Sequence, residues 1–337
     1  MMSRDEQSAL AEQNPELTEI LKTNPPPPPL GTAPDIFALR AHLLEQKKKL
    51  TAATASASTS GPPTYTENDE QIPTRDGSTI TVRIHRPKSA SECPSLVIYH
   101  GGGFVLGGLD NEVALCRKWT EMGGVAVNVE YRLAPEHPFP KAVEDAYDAL
   151  EWTAANVKEL DVNPEKGFLV GGISAGANLA AVVSYLWRDN KMSPSLTGQY
   201  LSIPAVCTPE AMPSKYQDFC FSMEQNKDAL ILNEKSVYFF DSLYKVDPKS
   251  PLRSPLIFPS HKDLPPAYFQ ICGADPLRDE GLLYEKVLRE EYGIKTRLDL
   301  FPGLPHGFWS SYPQAEFSKK FQVDTAEGLK WLLEQAR

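Results

Sequence analysis

Ser174 lies in Gly172-Ile173-Ser174-Ala175-Gly176, between a strand-like run and a helix-like run. A serine on so sharp a strand-to-helix turn takes strained backbone angles, and small residues two positions to either side let the two backbones pass. Its hydroxyl would project into a cleft, and the first free N–H groups of the helix that follows would face any oxyanion formed there. The plain alternative is a structural turn serine. A hydroxyl becomes an effective nucleophile only when an imidazole takes its proton, and the imidazole needs a carboxylate to fix its tautomer. Both are available downstream. Asp275 follows a strand pattern in AYFQICGADPLRDEG, and His306 follows the next one in TRLDLFPGLPHGFW. Asp279 and Glu280 compete for the acid role, but they fall where a helix would begin, and N-terminal capping accounts for them.

Upstream, His100-Gly101-Gly102-Gly103 follows the strand run Leu96 to Tyr99. Residues without side chains let backbone N–H groups approach a substrate oxygen, so Gly102, Gly103 and Ala175 are the expected oxyanion-hole donors. A glycine loop can also cradle phosphate, but the GxxxxGK[ST] and GxGxxG spacings are absent. His100 reads as a loop anchor, and His42, His85, His137 and His261 as structural or surface residues.

These residues need a frame. Leu96 to Tyr99, Val125 to Val129, Phe168 to Val170 and Tyr268 to Ile271 read as buried strands, and they alternate with helical patterns. Val143, Ala146, Leu150, Ala154 and Val157 mark one crossover helix. The expected fold class is α/β, a mostly parallel central sheet with helices on both faces and a helical cap. Residues 64–337 would form the main domain, interrupted by an insertion at about 208–250 with Asn233 as a helix N-cap. Residues 1–63 would hold N-terminal cap helices and flexible linkers, namely Pro25 to Pro29 and Thr51 to Pro63. Between the linkers, Ile36, Leu39, Leu43 and Leu44 form an apolar stripe at helical spacing. Stripe and insertion together could form a lid over the strand ends, where open α/β sheets bind ligands.

The chain has 337 residues, with 34 basic against 44 acidic side chains and a formal net charge of -10. That charge repels phosphate backbones, so a nucleic-acid partner is not expected. Cys93, Cys116, Cys207, Cys220 and Cys272 are scattered, without metal-ligand spacing, and read as reduced thiols. No metal and no cofactor are expected. Neither a signal peptide nor a membrane span is legible, which makes a cytoplasmic location the expectation.

With these elements in place, the chain resembles the hormone-sensitive-lipase-like family of α/β-hydrolases, which includes many carboxylesterases. The resemblance covers about Pro73 to Arg337 and rests on HGGGF, EYRLAPEHPFP, GISAGANLA, SPL, DPLRDEG and HGF. It implies the nucleophile Ser174, the acid Asp275, the base His306, the donors Gly102, Gly103 and Ala175, and a cap built from the N-terminal helices and the insertion. The commonest family form, GDSAGGN, is changed here at Ile173 and Ala177. The expected activity is therefore a serine carboxylesterase that cleaves small to medium carboxylic esters through an acyl-enzyme. The same triad leaves an amidase, lactonase or deacetylase open, as well as a non-catalytic ligand receptor on this fold. The small-molecule ester is the expected partner, and a homodimer remains open.

Overall fold

Short runs of β-branched and aromatic residues bounded by turn formers become strands. In the computed structural model, which describes residues 2–26, 28–31, 35–43, 45 and 63–336, these are β1 (Tyr65–Pro73), β2 (Thr79–Pro87), β3 (Ser95–Tyr99), β4 (Val125–Glu130), β5 (Phe168–Ile173), β6 (Gly198–Ser202), β7 (Ala267–Ala274) and β8 (Thr296–Pro305). They form one sheet in the order β1-β2-β4-β3-β5-β6-β7-β8, and β2 alone runs opposite to the rest. Leu44 and the stretch 51–62 of the expected linker lie outside the described residues.

The helices described are α1 (Arg4–Ala9), α2 (Pro15–Thr23), α3 (36–43), α4 (Val113–Glu121), α5 (Lys141–Ala155), α6 (Ala175–Asp189), α7 (Ser222–Gln225), α8 (Glu234–Tyr244), α9 (Arg278–Lys286), α10 (Phe308–Ser311) and α11 (Glu316–Gln335). Alternate residues of each inner strand face opposite layers, so both faces of the sheet need cover. Leu96 and Ile98 of β3 pack with Cys116 and Trp119 of α4 and with Leu329 and Leu332 of α11. Val97 and Tyr99 face the other layer, with α5 and α6, where the Tyr99 hydroxyl donates to the Ala146 carbonyl at 2.7 Å. The crossover helix α5 carries Val143, Ala146, Leu150 and Ala154 but ends at Ala155, so Val157 lies in the turn beyond it.

Two segments outside this alternation meet at the carboxyl ends of the strands. Between β6 and β7, α7 and α8 occupy the expected insertion, and the Asn233 side chain accepts the Ser236 N–H at the start of α8. The N-terminal segment docks beside it. The Gly303 N–H donates to the Leu10 carbonyl at 2.7 Å, and the Asn14 N–H donates to the Gly303 carbonyl at 3.1 Å. A Cβ on Gly273 would sit 1.9 Å from the Leu10 oxygen, so this approach of two backbones requires glycine. Further on, the Leu30 N–H donates to the Ile231 carbonyl at 2.7 Å, and the Ser236 hydroxyl donates back to the Leu30 carbonyl. From the stripe on α3, Ile36 is buried, while Leu39 and Leu43 are half-buried.

Asp279 and Glu280 explain how the insertion is fastened, and here the capping expectation needs correcting. The N-cap of α9 is Leu277, without a side-chain bond, and both carboxylates reach across to chain much earlier in the sequence. Asp279 pairs with Arg278 at 2.7 Å and accepts the N–H groups of Phe221 and Ser222 at 2.9 and 2.8 Å. Glu280 accepts the N–H groups of Val206 and Cys207 at 2.7 and 3.2 Å. These carboxylates accept from backbone donors far away in sequence rather than from the N–H groups of their own helix end.

Burial pushes the Glu280 carboxyl up to about 8, against the pull of Arg253 and the two N–H groups. Between the ordinary 4.5 and about 8 the folded chain holds a proton that the unfolded chain has released, so folding stability declines as pH rises through that window. Glu280→Gln keeps an acceptor for Val206 and Cys207 and has no proton to lose. The stability of the natural chain relative to this variant should therefore fall from pH 5 to 8 by on the order of 1–3 kcal/mol, read by denaturant unfolding at each pH. A gap that stays constant with pH would contradict this account.

Candidate active site

Ser174 is the only residue between the end of β5 and the start of α6, with φ 56° and ψ −115°. An L-residue held in the left-handed region costs on the order of 1–2 kcal/mol and needs surroundings that impose it. Here the Ser174 N–H donates to the Ser202 carbonyl at 2.8 Å, and the Asn178 N–H donates to the Ser174 carbonyl at 3.0 Å. A Cβ on Gly172 would lie 2.1 Å from the Gly176 backbone, and one on Gly176 would lie 2.0 Å from the Tyr99 oxygen. The two glycines are thus the points at which strand and helix pass each other, as the pentapeptide implies.

Asp275 follows β7 and His306 follows β8, and the sheet brings both to Ser174. The His306 Nδ1–H donates to Asp275 Oδ2 at 2.6 Å. On the other side of the ring, Ser174 Oγ lies 2.9 Å from His306 Nε2. A carboxylate on Nδ1 fixes the tautomer that leaves Nε2 as the acceptor of the serine proton. Asp275 is buried, and its second oxygen accepts the Leu277 N–H at 2.9 Å. The Asn226 side chain, from the insertion, donates to the Asp275 carbonyl at 3.0 Å.

Gly102 and Gly103 take φ of 124° and 61°, and a Cβ on Gly102 would meet the Leu106 oxygen at 2.2 Å. Both glycines, with Ala175, Ser174 and His306, line one cleft of about 2210 Å³. Ala175 is the first residue of α6, so helix geometry gives its N–H no acceptor within the helix. His100 is buried beside its own loop. Its Nδ1 lies 2.8 Å from the Gly101 carbonyl oxygen, and its ring stacks on Tyr131 with centroids 4.1 Å apart.

The remaining histidines are distributed as structural and surface groups. His85 is buried against Glu67 and His261 against Tyr185, His137 is exposed, and His42 lies on α3 at the outer cleft wall. Burial lowers the His85 ring below its ordinary value and takes His261 down to about 4. The cleft wall near the serine is apolar: Ile173, Ile203 and Ile231 pack together, with Leu30 beside them. The Ile173 departure from GDSAGGN therefore places a hydrocarbon side chain where the usual form has an acid.

Asn178 and Arg253 also tie the frame of the site together. Asn178 donates from its side chain to the carbonyls of Ala205 and Arg253 at 2.6 and 2.8 Å, tying α6 to the root of the insertion. Arg253, buried on the cleft wall, pairs with Asp241 of α8 at 3.0 Å. Asn178 stands inside GISAGANLA, and Arg253 directly precedes SPL, so each sat at a motif edge without a local reason to single it out.

Comparison with known proteins identifies the family. The family described as alpha/beta hydrolase fold matches residues 96–310. An AB hydrolase superfamily protein of Schizosaccharomyces pombe is 39% identical over 96% of this chain and 95% of its own length. A versiconal hemiacetal acetate esterase of Dothistroma septosporum is 33% identical over 91% of this chain and 90% of its own. Among solved structures, that of a vibralactone cyclase superposes with a TM-score of 0.91 at 35% identity, covering 100% of this chain and 98% of that one. The strand order, the cleft at the strand ends and these relatives together show that the chain belongs to the α/β-hydrolase fold family, in its hormone-sensitive-lipase-like branch, as a carboxylic ester hydrolase.

Proposed function

We propose that this carboxylesterase works through an acyl-enzyme on Ser174. The observation that carries the reading is the line from Asp275 through His306 to Ser174, at 2.6 and 2.9 Å. Ser174 Oγ attacks the ester carbonyl carbon as its proton passes to His306 Nε2. The N–H groups of Gly102, Gly103 and Ala175 stabilise the tetrahedral oxyanion. The carbon–oxygen bond to the alcohol then breaks, and His306 returns the proton to the departing alkoxide. Water repeats the sequence on the acyl-enzyme and releases the carboxylic acid. Residues 1–63 and the insertion at about 208–250 act as the cap on the 64–337 body, a reading supported by Leu39, Leu43, Val237 and Phe240 on the cleft wall. The enzyme works in the cytoplasm, a reading that its five free cysteines, four of them buried, support, and acts as a monomer or a homodimer without a nucleic-acid partner.

The overlap with a vibralactone cyclase favours a second reading, in which a hydroxyl of the substrate itself resolves the acyl-enzyme and closes a lactone. Product analysis with a hydroxyacyl ester separates the two: free hydroxy acid marks hydrolysis, and lactone marks ring closure.

Ser174→Ala should lower kcat/KM for a nitrophenyl ester by at least about 10⁴-fold with an unchanged Tm, because covalent catalysis needs the hydroxyl and the turn does not. Retained turnover in the purified variant would reject the assignment. Removing the Phe240 ring should enlarge the cleft on the cap side. Phe240→Ala is therefore expected to raise kcat/KM for octanoyl relative to acetyl esters by roughly tenfold. Parallel chain-length profiles for both proteins would show that α8 does not bound the acyl site.

A further inference from the structure

The loop that holds Gly102 and Gly103 adopts a backbone that needs support from outside. Gly102, Gly103 and Phe104 have φ of 124°, 61° and 63° in succession, and Phe104 carries a full side chain in that region. Within the loop, the N–H groups of Val105 and Leu106 both donate to the Gly102 carbonyl, at 3.1 and 2.8 Å. From the body, the Ala134 N–H donates to the Phe104 carbonyl at 3.0 Å. The next carbonyl, of Val105, is taken by Arg40 of α3, whose Nε–H donates to it at 2.7 Å. The same guanidinium donates to the Ala134 carbonyl and pairs with Glu136 at 2.5 Å.

Arg40 thus grips the two stretches that meet at the Ala134–Phe104 bond, the glycine loop and residues 134–136, with one planar fork. Its side chain is 22% exposed, and its bonds to the Val105 and Ala134 carbonyls are partly buried, while the pair with Glu136 is open to solvent. A lysine ammonium carries the charge but not the fixed geometry that spans several acceptors at once. The cap touches the loop at two further points. The Tyr244 ring stacks on Phe104 with centroids 4.1 Å apart, and a Cβ on Gly103 would lie 2.4 Å from the Phe240 ring.

We propose that Arg40 is a positioning residue for ester hydrolysis: by holding the Val105 and Ala134 carbonyls it sets the glycine loop, so that the N–H groups of Gly102 and Gly103 meet the oxyanion only while α3 is docked. The proposal rests on the oxyanion reading above.

The test uses full-length Arg40→Ala and Arg40→Lys with nitrophenyl butyrate, each rate referred to active sites titrated to completion with a phosphonate. A trifluoromethyl ketone, which forms a tetrahedral oxyanion on the serine, reports the hole directly. In both variants kcat per titrated site should fall roughly 10- to 100-fold with KM within about threefold, and the ketone inhibition constant should rise by the same factor as kcat falls. A residue that only stabilised the fold would lower Tm and the number of titratable sites, leaving kcat per site and ketone affinity unchanged, and that result overturns the proposal. So does a fall in kcat without loss of ketone affinity. Where Arg40→Ala does not fold, Arg40→Lys decides by the same paired readout. Ser174→Ala assayed alongside separates the two levels: turnover there overturns the site assignment itself, whereas an inactive Ser174→Ala beside an unaffected Arg40→Ala overturns the positioning role alone.

Discussion

One backbone constraint organises this molecule: the chain must turn from β5 into α6 through a single residue, Ser174, in the left-handed region. That turn is possible because Gly172 and Gly176 let strand and helix come within a distance no side chain tolerates, with Gly176 against the Tyr99 backbone of β3. The geometry is therefore shared between the neighbouring strands β3 and β5, and it aims one hydroxyl at the place where β7 and β8 end. Asp275 and His306 reach it because their strands are parallel to β5 and stop at the same edge. A parallel sheet collects residues far apart in sequence along a single line, which is why such sheets host sites at their carboxyl ends.

The second constraint comes from burying polar groups where the insertion crosses the strand ends. Chain that crosses the strand ends brings its own N–H groups into a water-poor region, and each needs an acceptor. Asp279 and Glu280 supply it for Phe221, Ser222, Val206 and Cys207, and Asn226 reciprocates by donating to the Asp275 carbonyl. The motif DPLRDEG therefore couples two tasks within six residues: its first carboxylate meets the histidine, and the next two hold the backbone of residues 206–207 and 221–222. Losing one of these bonds strands a buried donor, at a cost of about 1–3 kcal/mol.

The parts legible in the sequence were those determined locally. Alternating strand runs, the helical spacing of α5, the Asn233 cap and the GxSxG turn each follow from neighbours a few residues away. The fold followed from the order of those elements. Asp279 and Glu280 stand at the start of a helix as expected, and only their role differs, for the complementary reason. Two acids at the start of a helix look like caps by every local rule, and only their partners, more than 50 residues upstream, show otherwise. Arg253 and Arg40 were silent on the same ground, since their acceptors come from another helix or from backbone carbonyls, which carry no residue-type signal. The extent of α5 was overrun by two residues at Val157, because apolar spacing continues into the turn after the helix has ended.

The docking of residues 10–14 against Gly303 also bears on how the chain is assembled during synthesis. This segment leaves the ribosome early, yet its backbone partner is almost 300 residues later and only three positions before His306. Contacts of such sequence separation form late, because the loop between them must first be closed by everything else. Residues 10–14 therefore gain their Gly303 partner only once most of β8 has been synthesised. The acid and the imidazole can be braced from both sides only when translation is nearly complete. A nascent chain of this protein carries its serine turn 132 residues before it carries His306, so the line from Asp275 through His306 to Ser174 can be assembled only near the end of synthesis.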